Sequence, residues 1–176
     1  MAVAGLSGAA EPPIRRLGRR DLPEVERHLL ALGPADRRKR FLSPTDDGAV
    51  AGHVARLEPG RAVLVGAESP DGRLVGIAEA RPVVDAPRTV EVAVSVHPYH
   101  RREGLGRRLI ARAMALAFAE GAEAAVSLFA PENQAIARLA GSLRARLTAM
   151  GCAALTEAPP AEGVSAAMQG VLELAA

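Results

Sequence analysis

The stretch Val96-His97-Pro98-Tyr99-His100-Arg101-Arg102-Glu103-Gly104-Leu105-Gly106-Arg107-Arg108-Leu109 joins an apolar strand to a glycine-bearing helix start, and its charges have the wrong sign for an ordinary helix. The first turn of a helix carries about half a positive charge on its unpaired backbone N–H groups, so Asp and Glu normally stabilise it. Here Arg101, Arg102, Arg107 and Arg108 crowd that turn with only Glu103 against them. Each exposed cation there costs roughly 0.3–1 kcal/mol. A bound polyphosphate reverses the sign. Gly104 and Gly106 fit the same idea, because without Cβ they let phosphate oxygens approach the backbone amides and tolerate unusual turn dihedrals.

The flanks support a strand–turn–helix unit. Val90, Val92, Val94 and Val96 alternate with Glu91, Ala93 and Ser95, the period of a strand. Leu105, Leu109, Ala113 and Leu116 recur at helical spacing, and Gly121 follows as a stop. Ala124 to Phe129 reads as the next strand, and Glu132-Asn133-Gln134-Ala135 opens another helix. The glycine spacing excludes two nucleotide loops. A Walker loop needs Lys-Ser/Thr after its second glycine, where Arg107-Arg108 stands, and a dinucleotide fingerprint needs a third small residue where Leu109 stands.

What remains, Arg101-x-x-Gly104-x-Gly106 preceded by Val96-x-Pro98, resembles the coenzyme A signature of the GNAT superfamily of N-acetyltransferases. The resemblance runs from Ile14 onward and is most specific over Val96 to Leu109. It implies an α/β chain of the α+β kind, with a central, mostly antiparallel mixed sheet flanked by helices, and acetyl-CoA as acyl donor. It also implies cofactor contacts at Val94 and Val96, along Arg101, Arg102, Glu103, Gly104, Leu105, Gly106 and Arg107, and at Asn133. One departure stands out: many members carry a tyrosine two helical turns after the asparagine to protonate the departing thiolate, and here Ala140 takes that place. The tyrosine-free helix, with Arg40-Phe41, is also similar to the acetyltransferase domains of bacterial protein-lysine acetylation enzymes.

Acetyl transfer needs a neutral amine, and an amine of pKa near ~10 is about three units from neutral at pH 7, roughly 4 kcal/mol, so a base or water relay helps. Glu91 corresponds to a glutamate that many family members have ten residues before the motif's first residue. Two readings of it stay open, a general base acting through water and a structural salt bridge with an arginine; Glu79 is the reserve base. The thiolate, with a thiol pKa of ~8.5, can leave without an acid. Two functions follow: an N-acetyltransferase acting on a primary amine of a small molecule or protein, or a non-catalytic coenzyme A-binding regulatory module.

Length and composition suit a flexible tail over 1–13 and a single domain over 14–176. The Ala/Gly/Pro-rich start lacks the cationic lead of a signal peptide, and no apolar run nears the ~20 residues of a membrane span, so a cytoplasmic monomer or homodimer is expected. The 22 basic residues nearly balance the 20 acidic ones, and Tyr99, Phe41, Phe118 and Phe129 are too few for base stacking, which argues against nucleic acid. Arg37-Arg38-Lys39-Arg40 reads as a solvated helix face, or as a rim attracting an acidic substrate or phosphates. Cys152 is alone and reads as a buried structural thiol, and the histidines show no metal-ligand spacing.

The remaining expectations are coarse. Ile14 to Leu17 is a strand, and Asp21-Leu22-Pro23-Glu24 starts a helix with Asp21 as cap. Ser43 to Asp46 starts a second helix running towards Leu57. Arg61 to Ala67 and Arg73 to Val84 are strands joined through Asp71-Gly72. Val164 to Leu174 is the last strand, while helix and strand fit Ala145 to Leu155 equally.

Overall fold

A computed structural model describes residues 11–129, 133, 134, 136, 138, 146–147 and 152–154. In chain order the elements are β1 (Ile14–Arg16), α1 (Leu22–Leu30), α2 (Pro34–Phe41), α3 (Asp47–Ala55), β2 (Val63–Glu68), β3 (Leu74–Val83), β4 (Ala86–Val96), α4 (Leu105–Ala119), β5 (Ala124–Leu128), β6 (Arg146–Leu147) and β7 (Cys152–Ala154). They form one mixed sheet in the order β1-β2-β3-β4-β5-β7-β6, antiparallel except for the parallel pair β4–β5. The ambiguous run 145–155 supplies two short strands at one end of the sheet, β7 beside β5 and β6 at the edge. The strand expected over Val164 to Leu174, the Ala140 position and the side chain of Cys152 lie outside the described residues.

Valine-rich alternation in the strands gives the sheet two apolar faces, and each has its own helices. Val63, Val65, Ala78, Ala80, Val90 and Val92 pack against Leu105, Leu109, Ile110 and Ala113 of α4. The opposite face, through Leu64 and Ile77, packs against Val25 and Leu29 of α1 and Val50 and Val54 of α3. At Gly76 α4 packs directly on the sheet. A Cβ there would lie 2.8 Å from Leu109 Cδ1 and 3.4 Å from Ser95 O, and Leu109 is fully enclosed. Gly76→Ala is therefore expected to cost about 1–3 kcal/mol, read as a lower urea midpoint at unchanged slope; an unchanged midpoint would mean that α4 can move away freely.

Local signals account for most helix ends. Asp46 Oδ1 accepts the Ala49 amide at 2.7 Å and caps α3. Pro23 sits in the first turn of α1, but Asp21 does not cap that helix with its side chain. Its carboxylate turns back to the Gly18 amide at 2.7 Å and to Arg15 at 2.8 Å, and the Arg15 hydrogen bond holds its pKa below the usual range. β4 begins four residues before the expected Val90, because Val83 pairs with Ala86 around a tight Val84-Asp85 turn. Among the described residues no helix is long and apolar enough to cross a membrane.

α2 corrects the reading of Arg37 to Arg40 as a uniformly solvated face. Arg37 donates to Leu30 O at 2.7 Å, Leu32 O at 3.0 Å and Asp47 at 2.6 Å, tying the end of α1 to α3. Arg40, with 5% of its side chain exposed, is buried against Glu79, which is 2% exposed. Only Arg38 and Lys39 remain exposed.

Candidate functional site

The site begins where the sheet comes apart. β4 and β5 pair through Thr89–Ala124, Val90–Ala125 and Glu91–Val126 and no further, although β4 runs on to Val96 and β5 to Leu128. The outer edges of both are occupied, β4 by β3 and β5 by β7, so the edges facing each other across the V have open peptide groups. Such groups need partners, and an extended chain lying in the gap supplies them as an added strand would. The V widens into a cleft of about 740 Å³, within the range that holds a drug-sized ligand.

One end of the cleft is the arginine–glycine loop. Gly104, at φ +77°, is in the left-handed region that favours glycine, and Arg102 is left-handed too, at φ +67°. This turn delivers the start of α4 to the cleft. The Arg108 amide closes the first helical turn on Gly104 O at 3.1 Å, which leaves the amides of Leu105, Gly106 and Arg107 without intrahelical acceptors. They and the helix dipole give this end of the cleft a positive potential, chemistry suited to an anion. Gly106 does not have a positive φ, and a Cβ there would only touch Val96 Cγ2 at 3.7 Å; its smallness keeps the floor open, not its dihedrals.

The four arginines divide their work, which revises the electrostatic reading. Arg101 is already engaged, donating from Nε to Val96 O at 2.9 Å and from Nη2 to Asp36 at 2.8 Å, so it staples the loop to the strand end and to α2. Arg108 turns away to Glu11 at 3.0 Å and Pro12 O at 3.2 Å. Arg102 and Arg107 line the cleft and have no carboxylate partner among the described residues.

The cleft thus brings together Val94, Val96, Arg101, Arg102, Gly104, Leu105, Gly106, Arg107 and Asn133, and leaves Glu103 outside its wall. Leu105 contributes its amide, its side chain being buried against α4's core. Asn133 is 7% exposed, and its Oδ1 lies 3.5 Å from the Ile136 amide, at the start of the helical residues Gln134, Ile136 and Arg138. Glu91 stands at the root of the V rather than in its wall, 29% exposed, with Oε2 3.4 Å from Arg81.

Two polar clusters beside the cleft escaped the sequence reading. Arg40 also faces the cleft and stacks over Phe41 at 5.0 Å, and its Nε is buried without a partner. Burial, and then the Arg81 charge, lowers its pKa to about 10, with Glu91 opposing. His53 Nε2 lies 3.3 Å from the same Glu79 oxygen without a directed bond. Burial and the Arg40, Arg81 and Arg56 charges lower His53 to about 3, so it is neutral. The second cluster is His28 with Ser95: Nδ1 is 3.0 Å from Leu74 O and Nε2 is 2.9 Å from Ser95 Oγ. Burial lowers His28 to about 4. Among the described residues no three His, Cys, Asp or Glu side chains gather as metal ligands.

Solved structures share this architecture. The GNAT domain of S. lividans PAT superposes with a TM-score of 0.68 at 17% identity, covering 81% of this chain and 87% of that one. A GNAT superfamily phosphinothricin acetyltransferase from Sinorhizobium meliloti, in complex with AcCoA, gives 0.66 at 18% identity over 87% and 95%. Spermidine N-acetyltransferase from Vibrio cholerae, in complex with CoA and spermine, gives 0.60 at 18% over 83% and 93%. No curated protein sequence matches significantly. The sequence pattern of the Acetyltransferase (GNAT) family matches residues 26–142, a span holding the splayed strands, the arginine–glycine loop and Asn133, and the chain belongs to that family.

Proposed function

We propose that this acetyltransferase takes acetyl-CoA as donor and moves its acetyl group to a primary amine of a small molecule or protein, with Glu91 as general base through water. The observation that carries this reading is that the gap between β4 and β5 opens directly onto the unpaired amides at the start of α4. An extended pantetheine arm fits the open strand edge at Val94 and the Val96 amide, the Val96 carbonyl being already held by Arg101. Its pyrophosphate fits the amides of Leu105, Gly106 and Arg107 and the guanidinium groups of Arg102 and Arg107, and Arg101 holds the loop in shape.

The amine nitrogen attacks the thioester carbonyl, the C–N bond forms, the C–S bond breaks and coenzyme A leaves as thiolate. The amine's proton passes through water to Glu91. Its position at the root of the V and its partial exposure support that role, and Arg81, 40% exposed, steadies the carboxylate while leaving it reachable by water. No acid is required for a leaving group of thiol pKa ~8.5.

Thiol release from acetyl-CoA, screened over polyamines, amino acids, aminoglycosides and lysine peptides, tests the reading alongside calorimetry with coenzyme A. Glu91→Gln is expected to lower kcat about a hundredfold while leaving coenzyme A affinity unchanged. Absence of heat with coenzyme A overturns the site itself; turnover unaffected in Glu91→Gln overturns the base, and coenzyme A binding without thiol release from any amine favours a regulatory module.

A further inference from the structure

We infer that Ser95 Oγ is an obligate hydrogen-bond acceptor in the cleft and receives an N–H of the acceptor amine, its polarity being set by His28. The inference rests on the proposed acetyl transfer and deepens it by naming how the acceptor is recognised.

The chain of donors leaves one solution. Leu74 O is a carbonyl and can only accept, so the His28 nitrogen 3.0 Å away, Nδ1, carries the proton. His28 is enclosed and neutral at pH 7, so Nε2 is bare and must accept from Ser95 Oγ at 2.9 Å. The single hydroxyl proton of Ser95 is thereby committed to the imidazole. Only lone pairs of Oγ remain for anything else, and a ligand atom meeting them must bring a hydrogen. A carbonyl or carboxylate oxygen at that place meets repulsion, whereas an amine is welcomed.

Geometry selects the acceptor amine over the amide groups of the pantetheine arm. An arm lying between β4 and β5 is in the plane of the sheet and pairs with main-chain groups. The Ser95 side chain stands off that plane, on the face towards α1, where His28 holds it. The other face is closed by α4, against which Val94 and Val96 pack. The α1–α2 side is where the cleft has a polar wall of Asp36, Lys39 and Arg40, and an acceptor reaching the gap from that side passes Ser95. Glu91 is on the same face of β4, four residues away, about 13 Å between Cα atoms, a span that its side chain and a short water chain cover. Ser95 then points the amine's lone pair by holding one N–H, and Glu91 receives the proton released.

The test uses methylamine, which has an amine and nothing else to recognise. Long-range ¹H–¹⁵N spectra of the wild type should show His28 protonated at Nδ1 and bare at Nε2; the opposite tautomer overturns the inference outright. Protein saturated with coenzyme A and titrated with methylamine should then show a saturable shift at Ser95 and at His28 Nε2, lost in Ser95→Ala and kept in Ser95→Thr. A shift of His28 Nε2 already complete on adding coenzyme A, with none from methylamine, assigns Ser95 to the cofactor arm and overturns the proposal. So does a methylamine response unchanged in Ser95→Ala. Failure of the transferase reading is separate, showing as absence of coenzyme A binding in the wild type.

Discussion

Arg40→Leu is expected to destabilise the fold by about 3–5 kcal/mol, more than any loss of apolar contact at the same place would give. The reason is the group left behind. Glu79 is on the interior strand β3, 2% exposed, and Arg40 is its charged partner from α2. His53, at 3.3 Å, is kept neutral first by burial and then by the Arg40, Arg81 and Arg56 charges. Burial and two of those charges persist in the variant, so it replaces the lost charge only at the cost of taking up a proton in an enclosed site. A carboxylate stranded there either remains ionised without compensation or takes up a proton, and both are costly. Removing both partners, as in Arg40→Met with Glu79→Leu, should restore most of the loss, because a buried pair replaced by apolar groups is often neutral. Urea midpoints of the two variants decide the matter. A single mutant as stable as the double mutant would mean that water reaches Glu79 and that the pair lies outside the core.

That pair also shows where the sequence was legible and where it was not. The four basic residues of α2 look like one charged face when counted, but their helical spacing separates them: Arg37 and Arg40, three apart, turn inward, and Arg38 and Lys39 turn outward. Glu79 within the run Leu74 to Ala80 was the complementary signal, a carboxylate among residues that are all buried. The alternation of Val90 to Val96 and the arginine–glycine turn were readable because both are local, fixed by period and by backbone dihedral. The splay of β4 from β5 was not, since composition does not say at which residue a ladder stops. His28 falls on the buried stripe of α1 beside Val25 and Leu29, a signal of a needed partner that escaped the sequence reading. That the partner is Ser95, 67 positions away, is a property of the packed fold. The early start of β4 was hidden by Pro87, a residue that normally argues against a strand interior.

Acidification should destabilise the protein well before its carboxylates titrate, with roughly 2–3 kcal/mol lost between pH 6.5 and 4.5. His28 is the main cause. Its folded pKa of about 4 is set first by burial; the Leu74 carbonyl opposes the shift, and the His97 and Arg40 charges add to it. An unfolded histidine titrates near 6.5. Between those values the unfolded chain binds more protons than the folded one, so stability is fully present above pH 6.5 and falls as pH drops towards 4. His53, lowered to about 3 but less completely enclosed, adds a smaller loss in the same direction. A protonated His28 carries hydrogens on both nitrogens, so Nε2 would have to donate to Ser95, and the polarity of the cleft at that point reverses. Urea unfolding at half-unit steps of pH should therefore give a descending limb that flattens in the His28→Gln, His53→Gln double variant. A wild-type profile level down to pH 4.5 would mean that His28 keeps access to water, and the fixed Ser95 hydroxyl would lose its physical basis.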